Sequence, residues 1–292
     1  MSWEHEALFD AEAVNTEQPS FWTCLPAQLQ VGRMGYRTKT TKAGPRLEAE
    51  IYPIFGREER GRLRAAKQNV TPEAMQRLNH ERSIRYLIQL ADANFDERDI
   101  SLTLTYNGQP PEYTQVRKDV RNFLARVKRA REKRGLEPLK YIYTIEDAKE
   151  GRVTRIHVHM IMNGGVDRDE LEKIWAKGYA NADRLQPTET GLEALIRYMV
   201  KQQKNRRKWA ASKGLKQPKV RTSNTRVTNG RVKVLAMDYQ NQAKPIMEKV
   251  YPGYQFVSAR VFYSDIVDGV YIRAVMRKIP DKAERGRADD RL

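Results

Sequence analysis

The chain has 292 residues, with 54 Lys and Arg against 37 Asp and Glu, a formal net charge of +17. An excess of that size favours polyanionic partners, nucleic acid first and an acidic membrane surface second. Cys24 is the only cysteine, which excludes internal disulfides and cysteine-built zinc sites and suits a reducing cytoplasm.

Residues 1–70 read as an N-terminal extension, partly disordered. Glu4, Glu6, Asp10, Glu12 and Glu17 repel one another, with no Lys or Arg among them, the reverse of a signal peptide. Pro19, Pro26, Gly32, Gly35 and Gly44 interrupt the next stretch, and residues up to about 45 are expected to be weakly structured. No apolar run approaches a transmembrane length. Thr71-Pro72-Glu73 opens a helix to about Ala91, with Thr71 as cap, Pro72 in the first turn and Glu73 favouring the dipole.

Asp99–Tyr106 alternates Ile100, Leu102, Leu104 and Tyr106 with Ser101, Thr103 and Thr105, the pattern of a half-buried strand. Glu112–Arg134 is an amphipathic helix: Val116, Val120, Phe123, Leu124 and Val127 form its stripe. Nine Lys and Arg, from Arg117 to Arg134, fill the rest and are either solvated or set against DNA. Gly135 stops it. Leu139–Glu146 is the next strand, and Lys149-Glu150-Gly151 suits a hairpin turn.

Thr154–Gly165 comes next as a strand bearing two histidines. Alternate side chains share a face, so His157 and His159 project together while Ile156, Val158 and Met160 cover a core. Two imidazoles on one pleat either hold a divalent metal or simply line a half-buried sheet. Glu146 comes near them if the hairpin register places it on their face. Asp167 caps a short helix to Trp175, and Gly178–Leu185 reads as a strand. Thr188-Glu189-Thr190 starts a helix to about Gln203 with Leu192, Leu195, Ile196 and Met199 buried. At about 100° per residue Tyr198 falls on the flank of that stripe.

Lys201–Lys233 holds twelve Lys or Arg and no Asp or Glu, an electrostatic footprint for a nucleic-acid backbone. Trp209 lies within it and could stack on an unpaired base or be buried. Residues 206–233 are expected to be a basic DNA-contacting loop or linker. Residues 234–279 are expected to be a β-rich C-terminal extension, and 280–292 a charged tail. Val232–Ala236 suggests a strand and Asp238–Val250 a helix weakened by Pro245. Tyr254–Ser264 and Val270–Lys278 suggest a hairpin turning at Asp268-Gly269.

The element order is β-α-β-β-α-β-α, an α+β arrangement of the split β-α-β type, with helices packed on a central antiparallel sheet. Three segments occur in a set order: L-T-L-T-Y at Leu102–Tyr106, H-V-H at His157–His159 and Y-M-V-K at Tyr198–Lys201. In that order they resemble the motifs of the HUH endonuclease domain of rolling-circle replication initiators, the Rep proteins of bacterial phages, plasmids and mobile elements. The resemblance covers about Ile100 to Gln203, within a domain expected to span 71–205.

The resemblance implies the HUH fold, a ferredoxin- or RRM-like sheet with N- and C-terminal extensions. It implies His157 and His159 as ligands of Mg²⁺ or Mn²⁺, Glu146 as the third, acidic ligand, Tyr198 as the nucleophile toward a DNA phosphate, and Lys201 as the cation beside it. Mn²⁺ suits imidazoles better than Mg²⁺, which prefers oxygens. Arg197, Lys204, Arg206, Arg207, Lys208 and Trp209 are the expected DNA contacts. Gln202 stands four residues after Tyr198, so the chain resembles single-tyrosine members. No G-x-x-x-x-G-K-[ST] stretch is present, so unwinding would fall to a host helicase and synthesis to a host polymerase, in a bacterial cytoplasm and off the membrane.

Three rivals share parts of this pattern. A conjugative relaxase or single-strand transposase has the same chemistry, although long flanks argue against the compact transposases. A non-catalytic RRM-like module uses the same layout and expects stacking aromatics on the sheet, for which Tyr141 and Tyr143 qualify in type. A metal hydrolase of small phosphates fits the charge poorly.

Overall fold

The computed structural model describes residues 35–58, 60–61, 72–108, 111–146, 156–201, 209–263 and 269–280. The elements in chain order are β1 (Tyr36–Ala43), β2 (Arg46–Pro53), α1 (Pro72–Asp92), β3 (Ile100–Leu104) and α2 (Tyr113–Lys133). Then come β4 (Tyr141–Glu146), β5 (His157–Met162), α3 (Arg168–Trp175), β6 (Ala180–Arg184) and α4 (Glu193–Val200). The chain closes with β7 (Ala210–Ala211), β8 (Lys219–Ser223), α5 (Asn229–Val250), β9 (Tyr254–Tyr263) and β10 (Val270–Lys278). It divides into two compact units, Leu90–Gln217 and a second assembled from the chain on either side of that stretch.

The central unit carries an antiparallel sheet in the order β6-β3-β5-β4-β7. Strand β5 lies between β3 and β4, so the connection through α2 skips a strand, the split β-α-β layout. The alternation in the sequence decides which face is which. Leu102, Leu104, Val158, Met160 and Met162 meet Val116, Val120, Phe123 and Val127 of α2 and Leu171 and Trp175 of α3 in one core. Both helices therefore cover one face. Trp175 is fully buried and donates its indole N–H to the Thr105 carbonyl at 2.7 Å. Tyr106 packs edge-on against that indole, 5.1 Å between centroids, and donates its hydroxyl to Asp119 at 3.1 Å. Burial, reinforced by the Asp119 carboxylate, pushes the Tyr106 phenol upward, so it stays a donor.

Arg131, read in the sequence as part of the basic face of α2, is buried instead. Its guanidinium donates to the carbonyls of Glu137 at 2.9 Å, Asn163 at 3.1 Å and Gly164 at 2.6 Å, pinning the end of α2 to the turn after β5. Because α2 lies on the face away from His157 and His159, its exposed cations do not flank those imidazoles.

The second unit has its own antiparallel sheet, β8-β1-β2-β10-β9. One face packs Leu47, Ala49, Ile51, Ile272 and Met276 against Val232, Leu235 and Met247 of α5. The other buries charge. Glu48, 1% exposed, accepts from Arg46 at 2.7 Å, from Arg85 at 2.9 Å, from Gln89 at 3.0 Å and from Arg273 at 3.3 Å. Glu50 pairs with Arg85 and, at 3.4 Å, with Lys39.

This unit differs most from the sequence-based expectation. Residues 36–53 were expected to belong to a weakly structured extension but form a hairpin about Gly44. Threonines and ion-paired residues occupy its buried positions, so the apolar alternation that marks a strand is diluted. Lys219–Ser223, expected within a linker, is an edge strand paired with β1. Its exposed charged side chains suit an edge, where they discourage further pairing. Residues 229–250 form one helix with a break at Asp238, where a strand and then a helix were expected. Asp238 accepts from the side chain of Asn241 at 2.8 Å, so a capping side chain restarts the helix after the break. The C-terminal strands pair as a hairpin as expected.

Candidate active site

The face of the central sheet opposite α2 and α3 carries the residues singled out in the sequence. His159 stands between Thr103 of β3 and Thr144 of β4 in register, and Glu146 stands opposite His157. Residues directly opposite share a face, so two imidazoles, a carboxylate and two hydroxyls collect there.

The hydrogen bonds set the tautomer of His159. Its Nε2 lies 3.0 Å from Glu146 Oε2 and its Nδ1 3.3 Å from Thr103 Oγ1. A carboxylate only accepts, so Nε2 carries the proton, and in the neutral ring Nδ1 then accepts from the Thr103 hydroxyl. A hydroxyl can also accept. Should Nε2 lose its proton to become a ligand, Nδ1–H could donate to the same Thr103 oxygen. His159 is 7% exposed, so this ring is held on both edges, while His157 is half-buried, 6.2 Å away between centroids.

Tyr198 comes from α4, packed over this face. Its ring stands edge-on to His159, with centroids 5.4 Å apart and planes at 73°, and the residue is 63% exposed. The helix is tied at both ends. Thr144 donates its buried hydroxyl to the Met199 carbonyl at 3.0 Å, satisfying an acceptor that the end of the helix leaves free. At the start, the Leu192 N–H donates to Asp92 Oδ1 at 2.9 Å. Gly191 permits that approach: its φ is +70°, and a Cβ would fall 2.5 Å from the Asp92 carboxylate. The helix expected from Thr188 therefore begins at Glu193, after a tight turn in which Thr188 and Gly191 exchange hydrogen bonds of 2.9 and 3.0 Å.

Lys201 is exposed at the C-terminal end of α4, its N–H on the Tyr198 carbonyl at 3.3 Å. Arg197 is exposed and paired with Glu193 at 3.0 Å. Trp209 is half-buried beside β7, while Lys204, Arg206, Arg207 and Lys208 lie outside the described residues. The turn expected around Lys149-Glu150-Gly151 also lies outside them.

The donor set suits a divalent ion in type: two imidazoles and a carboxylate on one face, with the outer nitrogen of His159 held as ligating histidines are. Among the described residues, however, no three His, Cys, Asp or Glu side chains already converge on one point. Glu146 is spent on His159, and ligation would replace that bond. Thr103, Thr144 and Asp92 are contributors the sequence did not single out. Thr103 lies in the first motif, but only its register against His159 gives it a task.

Comparison with known families picks out the same stretch. Residues 99–203 match the model of the family described as Replication-associated protein ORF2, about a third of the 292-residue chain. The match supports a replication-associated role in initiation, with DNA replication as its setting. No curated protein and no solved structure matches the chain. Among the described residues, no helix is long and apolar enough to cross a membrane.

Proposed function

We propose that the central unit is a metal-dependent nickase and ligase for single-stranded DNA that starts rolling-circle replication. The observation that carries this reading is the 5.4 Å approach of the Tyr198 ring to His159, which is itself bonded to Glu146. A phenol from one element is brought to a histidine-carboxylate cluster on another, which packing alone does not require.

In this reading the Tyr198 oxygen attacks a backbone phosphorus. The O–P bond to tyrosine forms and the P–O3′ bond breaks. The phenolic proton leaves and the 3′ oxygen gains one, giving a 5′-phosphotyrosine and a free 3′-hydroxyl that primes synthesis. The reverse reaction rejoins the strand. Lys201, at the end of the same helix, supplies positive charge toward the phenolate and the phosphate. His157, His159 and Glu146 would hold Mg²⁺ or Mn²⁺, which when bound polarises the phosphate and stabilises its developing charge. Lys204, Arg206, Arg207, Lys208, Arg197 and Trp209 would contact the strand, and a host helicase and polymerase would complete the work.

The test is incubation with Mn²⁺ and single-stranded origin DNA, followed by denaturing electrophoresis. A covalent adduct is expected from the parent protein and none from Tyr198→Phe; an adduct from Tyr198→Phe refutes the nucleophile. A purely RNA-recognising module is disfavoured by the placement of Tyr141 and Tyr143. They pack on the α2 side of the sheet, 6.0 Å apart, and not on the open face.

A further inference from the structure

Tyr179 is 70% exposed and lies on the same face as the imidazoles. Its neighbour Ala180 packs into the core beneath α2 and α3, with Ala182 against it, so Tyr179 and Asn181 point the opposite way. Asn181 pairs with Thr103, which pairs with His159, so the three stand in a row across the sheet. Tyr179 is one same-face step beyond Asn181. With strands about 4.8 Å apart, the step from His159 to Tyr179 is roughly 12 Å, a span an extended single strand crosses in a few nucleotides.

A single exposed aromatic is ordinary on a protein surface. What sets Tyr179 apart is its mount. Its carbonyl accepts from the Thr105 N–H at 2.9 Å and from the Thr105 hydroxyl at 3.4 Å. The Thr105 carbonyl is held in turn by the buried Trp175 indole at 2.7 Å. Gly178, just before, lies so close that a Cβ would fall 2.3 Å from the Thr105 carbonyl oxygen. The backbone is thus fixed from three sides while the ring is left in solvent. Among the described residues the ring meets no other aromatic group and its hydroxyl no hydrogen-bond partner. Arg168 reaches Asn181 at 2.7 Å, and Asp183 accepts from the same amide at 3.1 Å, so a guanidinium stands near the ring.

We propose that Tyr179 is a base-stacking platform for the single strand entering the Tyr198–His159 cluster, positioning a nucleotide beside the phosphate to be cut. This rests on the single-strand reading of that cluster. A flat π-face accepts any base, so Tyr179 contributes affinity and alignment without reading sequence. A rigid mount loses little entropy when the base docks.

The test measures binding without cleavage, in the Tyr198→Phe protein with chelator present. Fluorescence anisotropy is read with a labelled oligothymidylate and with an abasic oligomer of equal length. Tyr179→Ala is expected to weaken oligothymidylate binding on the order of tenfold and to leave abasic binding unchanged. Tyr179→Phe and Tyr179→Trp keep the π-face and are expected to bind like the parent. Circular dichroism verifies that each variant is folded. The proposal is overturned if Tyr179→Ala binds oligothymidylate as tightly as the parent. Equal loss for both oligomers, or Tyr179→Phe as weak as Tyr179→Ala, overturns it too, since charge or the hydroxyl would then be responsible. Failure of the nicking reading looks different: an adduct from Tyr198→Phe with Mn²⁺ removes the nucleophile and leaves the anisotropy series standing.

Discussion

Thr144→Val isolates the tie between the histidine-bearing sheet and the helix that carries Tyr198. The substitution keeps the shape of the side chain and removes the hydroxyl that donates to the Met199 carbonyl at 3.0 Å. Thr144 is 1% exposed, so no water replaces the lost donor, and leaving a buried acceptor unpaired costs about 1–3 kcal/mol. The carbonyl belongs to the residue after Tyr198, so α4 loses its anchor beside the phenol. A displacement of about 1 Å at a reacting group can cost on the order of a hundredfold in rate. Urea denaturation is expected to show a loss of about 1–3 kcal/mol. Single-turnover adduct formation with Mn²⁺ and origin DNA is expected to slow by more than that loss implies at conditions where the variant is fully folded. Thr144→Ser, which keeps the hydroxyl, should restore the rate while recovering only part of the stability. Adduct formation at the parental rate in fully folded Thr144→Val would refute the positioning argument.

Two further predictions concern the site and the second unit. Thr103→Val removes the group that holds His159 Nδ1 at 3.3 Å, and losses of this kind typically weaken metal binding about 10–100-fold; titration of Mn²⁺ followed by electron paramagnetic resonance reads this, and unchanged affinity counts against His159 as a ligand. For Glu48, burial alone pushes the carboxyl up, but Arg273, Arg85 and Arg46 together hold it well below the usual glutamate range. A depressed folded value means the unfolded chain binds the proton more readily. Its stabilisation is therefore complete above the ordinary glutamate pKa and is lost as pH falls through the depressed one. Thermal melts of the parent should decline as the medium is acidified below the ordinary glutamate range, and Glu48→Gln should be destabilised at neutral pH with a shallower acid decline; parallel curves would show that another group is responsible.

Much of the central unit was legible because its strands bury apolar side chains at every second position and its long helix carries an unbroken apolar stripe. The alternation of Ile100, Leu102 and Leu104 with Ser101 and Thr103 already placed Thr103 on a polar face, and the spacing of His157 and His159 already placed both imidazoles together. The hairpin at residues 36–53 was not legible, because its buried positions are filled by threonines and by charges neutralised from distant segments. Arg85 on α1 and Arg273 on β10 are what make Glu48 a core residue, and neither lies near it in the chain.

Local pattern alone therefore determined the strands and helices of Ile100–Val200 and which face of each would be polar. Only the tertiary structure decided the register that sets Glu146 on His159, the packing of α4 that turns the Tyr198 ring toward that pair, and the exposure of Tyr179 beside them. Periodicity is a property of neighbours along the chain. Convergence depends on hydrogen bonds such as Thr144 to Met199 and Asp92 to Leu192, whose partners lie 55 and 100 residues apart.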